Sequence, residues 1–160
     1  MFAPKCQLYC LVLRHTGEHR ITVGGKGSVH WEKEWLCYVG RSNWGWGSRV
    51  KRFVESGGSN HWHIDYFEDC PGASVHCVFP FALEPDAECE LAEFIHGIES
   101  LEVPLDDLGA SDCGPDCQGH LFVGPLDPEV VRSELGQQGI KPEGTVFFET
   151  DRCRWVSTDN

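Results

Sequence analysis

Residues 35–55 read WLCYVGRSNWGWGSRVKRFVE, and the fold turns on this stretch. WLCYVG is apolar, aromatic and β-branched enough for a buried strand. SNWGWGS, residues 42–48, is a loop punctuated by glycine. SRVKRFVE then carries Val50, Phe53 and Val54 at i, i+3 and i+4, the apolar face of a short amphipathic helix. Upstream, ITVGGKGSVHW (21–31) predicts two short strands around a Gly-Gly-Lys-Gly turn, and QLYCLVL (7–13) predicts a buried strand.

Downstream, HWHIDYF (61–67) reads as a strand by content, with SVHCVFPF (74–81) as its neighbour. A helix follows, with Asp86 as N-cap, Leu91, Ala92, Phe94 and Ile95 as its apolar stripe, and Gly97 at its end. Beyond the loop GASDCGPDCQGHLF, a second helix opens at Asp127-Pro128, with proline at its first position, and runs to Gly136. TVFFETDRCRWVS (145–157) supplies one or two closing strands. The expected fold class is α/β (α+β): a small, mainly antiparallel central sheet flanked by helices, in a single domain over residues 1–160.

The 160 residues are 41% hydrophobic and 24% charged, near the globular average, which argues against disorder. No apolar run approaches the ~20 residues of a bilayer crossing, so no membrane partner is expected. A net charge of −12 argues against coating nucleic acid through bulk charge. That charge is uneven. Residues 1–60 hold nine basic and four acidic side chains, net +5, while residues 61–160 hold four and 21, net −17. The first segment can therefore bind an anion, because salt screens distant charge beyond about 8 Å. Nine cysteines, an odd count, and the absence of a glycosylation sequon point to reduced thiols in a cytoplasmic protein. The start, MFAPKCQLYCLVLRH, reads as a strand rather than a secretory signal.

The order of chemical residues is informative. A strand bears Tyr9, a later strand ends Tyr38-Val39-Gly40, a helix begins near Arg49, and another carries Glu88 in Glu88-Cys89-Glu90-Leu91. This order resembles the GIY-YIG nuclease superfamily. The strings HWHIDY, ECELA, and SDC followed by HLF resemble its small Uri-type branch in particular. The resemblance spans about residues 7–123, leaving 124–160 as a C-terminal extension. It departs at Gln7-Leu8-Tyr9, where the superfamily has Gly-Ile-Tyr, and at Phe53, where many members have histidine. It implies a metal-dependent endonuclease that hydrolyses phosphodiester bonds in nucleic acid, DNA rather than RNA, with Mg²⁺ or Mn²⁺ as cofactor. Glu88 would be the metal ligand. Tyr9 and Tyr38 would orient or deprotonate water and bond a phosphate oxygen, and Arg49 would clamp the phosphate.

The residue types suit that chemistry. A carboxylate is a hard ligand for a divalent ion, and the ion supplies charge and an acidified water. Glu88 shares a helix face with Leu91, Ala92 and Ile95, an apolar setting that a carboxylate occupies when paired or metal-bound; Glu90 points elsewhere. Arginine offers a permanent cation with a fork of donors, and Arg52 is an alternative to Arg49. Tyrosine, with a free pKa of ~10, needs a nearby cation or metal to act as a base. On a strand, His61, His63 and Asp65 would project from one face, as a site or as a solvated row. Arg41, Trp44, Trp46, Lys51 and Arg52 form a basic, aromatic surface for nucleic acid, with the tryptophans either stacking on bases or folding into the core. Cys113, Cys117 and His120 have spacing compatible with part of a structural zinc site, and plain loop chemistry explains them as well. Two rival functions remain beside the nuclease: a catalytically silent nucleic-acid-binding module of the same fold, and a zinc-stabilised interaction protein.

Overall fold

A computed structural model describes residues 6–42, 45–47, 63–105, 119–149 and 154–157. The chain is α+β. Six strands form one sheet in the order β6-β4-β1-β5-β7-β8, every neighbouring pair antiparallel. They are β1 (Leu8–His15), β4 (Trp35–Arg41), β5 (Ala73–Phe81), β6 (Leu121–Gly124), β7 (Val146–Glu149) and β8 (Arg154–Ser157). β2 (His19–Thr22) and β3 (Ser28–Trp31) make a separate hairpin, closed by a 3-10 turn at Gly24–Lys26. The described α-helices are α1 (His63–Glu68), α2 (Glu88–His96) and α3 (Pro128–Gln137). None of them is long and apolar enough to cross a membrane.

β1 is the middle of the sheet, and its sequence explains why. Leu8 to Leu13 are all apolar and fully buried, as a strand covered on both faces requires. Alternation along the strands then divides the core in two. Tyr9, Leu11, Leu13, Leu36, Tyr38 and Leu121 face one way, beneath the hairpin's Ile21, Val29 and Trp31 and beneath Ile64 and Phe67 of α1. Leu8, Cys10, Val12, Cys37, Val39 and Phe79 face the other way, beneath Leu91, Ala92 and Ile95 of α2 and Val131 and Leu135 of α3. A bulge lets this division persist along β5: Val12 pairs with Cys77 but Leu13 with Val75, so His76 is the extra residue.

Three expectations change here. HWHIDYF is not a strand over its described part: from His63 it is helix α1. Ile64 and Phe67, at i and i+3, reach the core from a helix, and that burial overrides the β-prone composition. The neighbours of β5 are accordingly β1 and β7. Asp86 does not cap α2. It lies in a 3-10 turn, Pro85–Ala87, and the helix starts after Ala87 without a side-chain cap. At α3 the expected cap is present, with the Asp127 carboxylate accepting from Glu129 N–H at 2.9 Å and Pro128 following. The proposed helix at 48–55 lies outside the described residues. β7 and β8, in the region beyond residue 123, extend the central sheet at its β5 edge.

Candidate functional site

The end of β4, Tyr38-Val39-Gly40-Arg41, is where the candidate residues gather. Tyr38 and Gly40 face the hairpin side, and Val39 and Arg41 face the helices. Tyr9, opposite Gly40 on β1, lays its ring over that glycine, and a Cβ at position 40 would overlap the ring. The Tyr9 and Tyr38 rings lie 6.4 Å apart, tilted by 58°, in the hairpin-side core cluster. Tyr9 is completely buried and Tyr38 is 7% exposed.

Glu88 occupies the other face. It is the first residue of α2, where a carboxylate is favoured by the helix dipole. One carboxylate oxygen lies 3.6 Å from Arg41 Nε, and the other 3.3 Å from His120 Nδ1. The remaining His120 nitrogen, Nε2, lies 3.5 Å from Cys89 Sγ. His120 stands just before β6 and is tied to β4 through its carbonyl, which accepts from Val39 N–H at 2.8 Å. Burial lowers the pKa of this imidazole, but bonding to Glu88 and Cys89 outweighs burial and leaves it above the usual histidine value. The group combines a half-exposed cation, a mostly buried carboxylate and a buried imidazole. Such a set can meet an anion, hold a hard cation and move a proton.

Tyr9 and Tyr38 thus lie on the hairpin side of β4 and Glu88 on the helix side, both at the Gly40–Arg41 end of the strand. Trp46 is also reassigned: it is 1% exposed and packs in the core, so it offers no face to a base. His63, on α1, belongs to the hairpin side, where burial and then the Lys26 charge lower its pKa. As α1 is helical, His63 and Asp65 do not share a face. His120, expected beside Cys113 and Cys117, meets Glu88 and Cys89. Trp44, Arg49, Lys51, Arg52, His61, Cys113 and Cys117 lie outside the described residues. Cys89 was not singled out from the sequence; its only signal was its place beside Glu88 in ECELA.

The chain belongs to a family described as a domain of unknown function, DUF123, whose family model matches residues 8–136. Neither the curated proteins nor the solved structures contain a match.

Proposed function

We propose that this protein is a metal-dependent endonuclease that hydrolyses phosphodiester bonds in DNA, working from the helix face of β4. The observation that carries the reading is the placement of Glu88 between Arg41 and His120 at the rim of the sheet. The donor set fits Mg²⁺ or Mn²⁺, which bind through one or two carboxylates and otherwise through water and substrate phosphate. Glu88 supplies that carboxylate, one oxygen 3.6 Å from Arg41 Nε and the other 3.3 Å from His120 Nδ1. When bound, the ion stabilises charge on the phosphate and acidifies water.

The chain's own groups do the rest. Arg41, half exposed, swings from Glu88 to the non-bridging phosphate oxygens, where charge grows during cleavage. His120, held between Cys89 and Glu88, carries a proton for the oxygen that attacks or leaves. Tyr9 and Tyr38 hold the Gly40–Arg41 strand end from behind. The basic first 60 residues attract the nucleic acid. The grouping of Cys10, Cys37 and Cys77 as thiols in the core supports a reducing, cytoplasmic setting.

A second reading, a nucleic-acid-binding module without cleavage, is favoured by one feature: both Glu88 oxygens already face basic side chains. Incubation with single-stranded, duplex and branched DNA, with Mg²⁺, Mn²⁺ or EDTA, decides between them. The nuclease cuts with metal and stops with EDTA. Binding without cleavage under every condition selects the silent module.

A further inference from the structure

We propose that His15, His19 and Cys70 form a binding site for one thiophilic divalent ion, zinc by its donor set, separate from the Glu88 site. The two histidines flank the β1–β2 corner, and Cys70 follows α1. Backbone bonds bring these segments together: Thr16 N–H donates to the Gly72 carbonyl at 3.0 Å, and Ala73 N–H to the Cys70 carbonyl at 3.0 Å. The three ligand atoms all lie within 4.8 Å of one another. In a tetrahedral zinc site, with Zn–N near 2.0–2.1 Å and Zn–S near 2.3 Å, donor atoms stand about 3.3–3.6 Å apart. The two imidazole nitrogens, 2.8 Å apart, open by about 0.5 Å to reach that spacing.

The supporting shell is already built. His15 is 2% exposed and stacked on Trp31, with the rings 3.9 Å apart and 12° from parallel. Its Nδ1 lies 3.3 Å from the Lys33 carbonyl. A proton on Nδ1 donates to that carbonyl and leaves the Nε2 lone pair for a ligand, as in many metal-bound histidines. Nε2 is aimed at His19 Nδ1, 2.8 Å away. Cys70 is also buried, and its thiol donates to the neighbouring Pro71 carbonyl at 3.4 Å. A nitrogen, nitrogen and sulfur set selects zinc or a similarly soft ion over Mg²⁺, which requires oxygen ligands.

The site has an entrance and room for a fourth ligand. His19 and Cys70 line a shallow cleft of about 330 Å³, shared with Tyr66 and Asp69. Water from this cleft completes four-coordination. Binding releases the Cys70 thiol proton to water, and the His19 proton, which lies on Nδ1 in the 2.8 Å bond to His15 Nε2, moves to His19 Nε2 through solvent so that Nδ1 is free to bind. The ion joins residues 15, 19 and 70, pinning the hairpin corner to the turn after α1.

The test is zinc loading of the full chain, followed by desalting, metal counting and thermal melting. It compares wild type with Cys70→Ser and His19→Gln. His19 is only partly buried, so His19→Gln remains informative if Cys70→Ser folds poorly. Each variant should retain about one zinc fewer per chain than wild type and lose the zinc-dependent rise in melting temperature. In Co²⁺-loaded protein, the thiolate charge-transfer absorption should weaken in Cys70→Ser. Unchanged zinc content and an unchanged zinc-dependent rise in both variants would overturn the site. None of these readouts involves cleavage, so their failure is distinguishable from failure of the nuclease reading.

Discussion

The two faces of the sheet are made by the same strands, yet they end differently at the tip of β4. On the hairpin face, Tyr9 and Tyr38 are buried in one cluster with Trp31, Trp46, Phe67 and the hairpin's aliphatic residues. On the helix face, α2 covers the middle of the sheet but brings a carboxylate with its first residue, so the rim becomes polar. Gly40 and Arg41 are neighbours in sequence and serve opposite faces, one as a seat for a tyrosine ring and the other as partner to Glu88. Strand alternation alone is enough to separate residues that a linear motif lists together.

If the faces have these separate roles, removing charge on one should cost far more activity than removing a hydroxyl on the other. Arg41→Gln should slow cleavage about 10²–10³-fold, the scale for one lost group that stabilises developing charge. Tyr38→Phe should fall short of the ~10²-fold loss typical of a missing acid or base. Single-turnover rates on one duplex substrate check both. A Tyr38→Phe loss as large as that of Arg41→Gln would join the two faces into a single site.

Packing sharpens the contrast through stability. Leu11→Ala, in the fully buried central strand, should cost about 2–5 kcal/mol in urea unfolding. Gly40→Ala should cost about 1–3 kcal/mol by overpacking, and much less in a Tyr9→Ala background, where the ring is gone. Equal costs in both backgrounds would mean that Tyr9 does not rest on Gly40.

The smallest effect concerns His76, the bulge residue, whose ring meets Trp35 and Phe147 edge-on at 5.0 and 5.5 Å. Burial lowers its pKa from the ordinary ~6.5, with Asp127 opposing and Arg14 reinforcing. The unfolded chain therefore takes up a proton first as pH falls. His76 thus contributes stability that is present above pH ~6.5 and lost as pH falls through its depressed native value. Unfolding of wild type and His76→Phe between pH 5 and 8 should show a shallower acid loss in the variant; identical slopes would remove His76 as the cause.

Most strands were legible because their signals are local. LYCLVL, SVHCVFPF and the Gly-Gly-Lys-Gly hairpin carry period and turn chemistry in a few residues, as do Asp127-Pro128 and α3. HWHIDYF was misread because six or seven residues rich in aromatics suit either structure, and distant packing of Ile64 and Phe67 decides it. At the site, Glu88 was marked by the motif order that resembles the GIY-YIG superfamily, with its place on an apolar stripe as a second signal. Its partners were not, because Arg41, Cys89 and His120 meet it only when β4, α2 and the start of β6 come together. The His15–His19–Cys70 group was hidden in the same way, with its cysteine more than 50 residues from its histidines.

The most direct measurement is metal-dependent DNA cleavage by Glu88→Gln against wild type, with circular dichroism confirming that both are folded. Glutamine keeps the shape and removes the anionic ligand. Cleavage should fall to the level seen with EDTA while DNA binding persists, and a Glu88→Gln protein that cuts at the wild-type rate would contradict the assignment of Glu88 and the helix-face site with it.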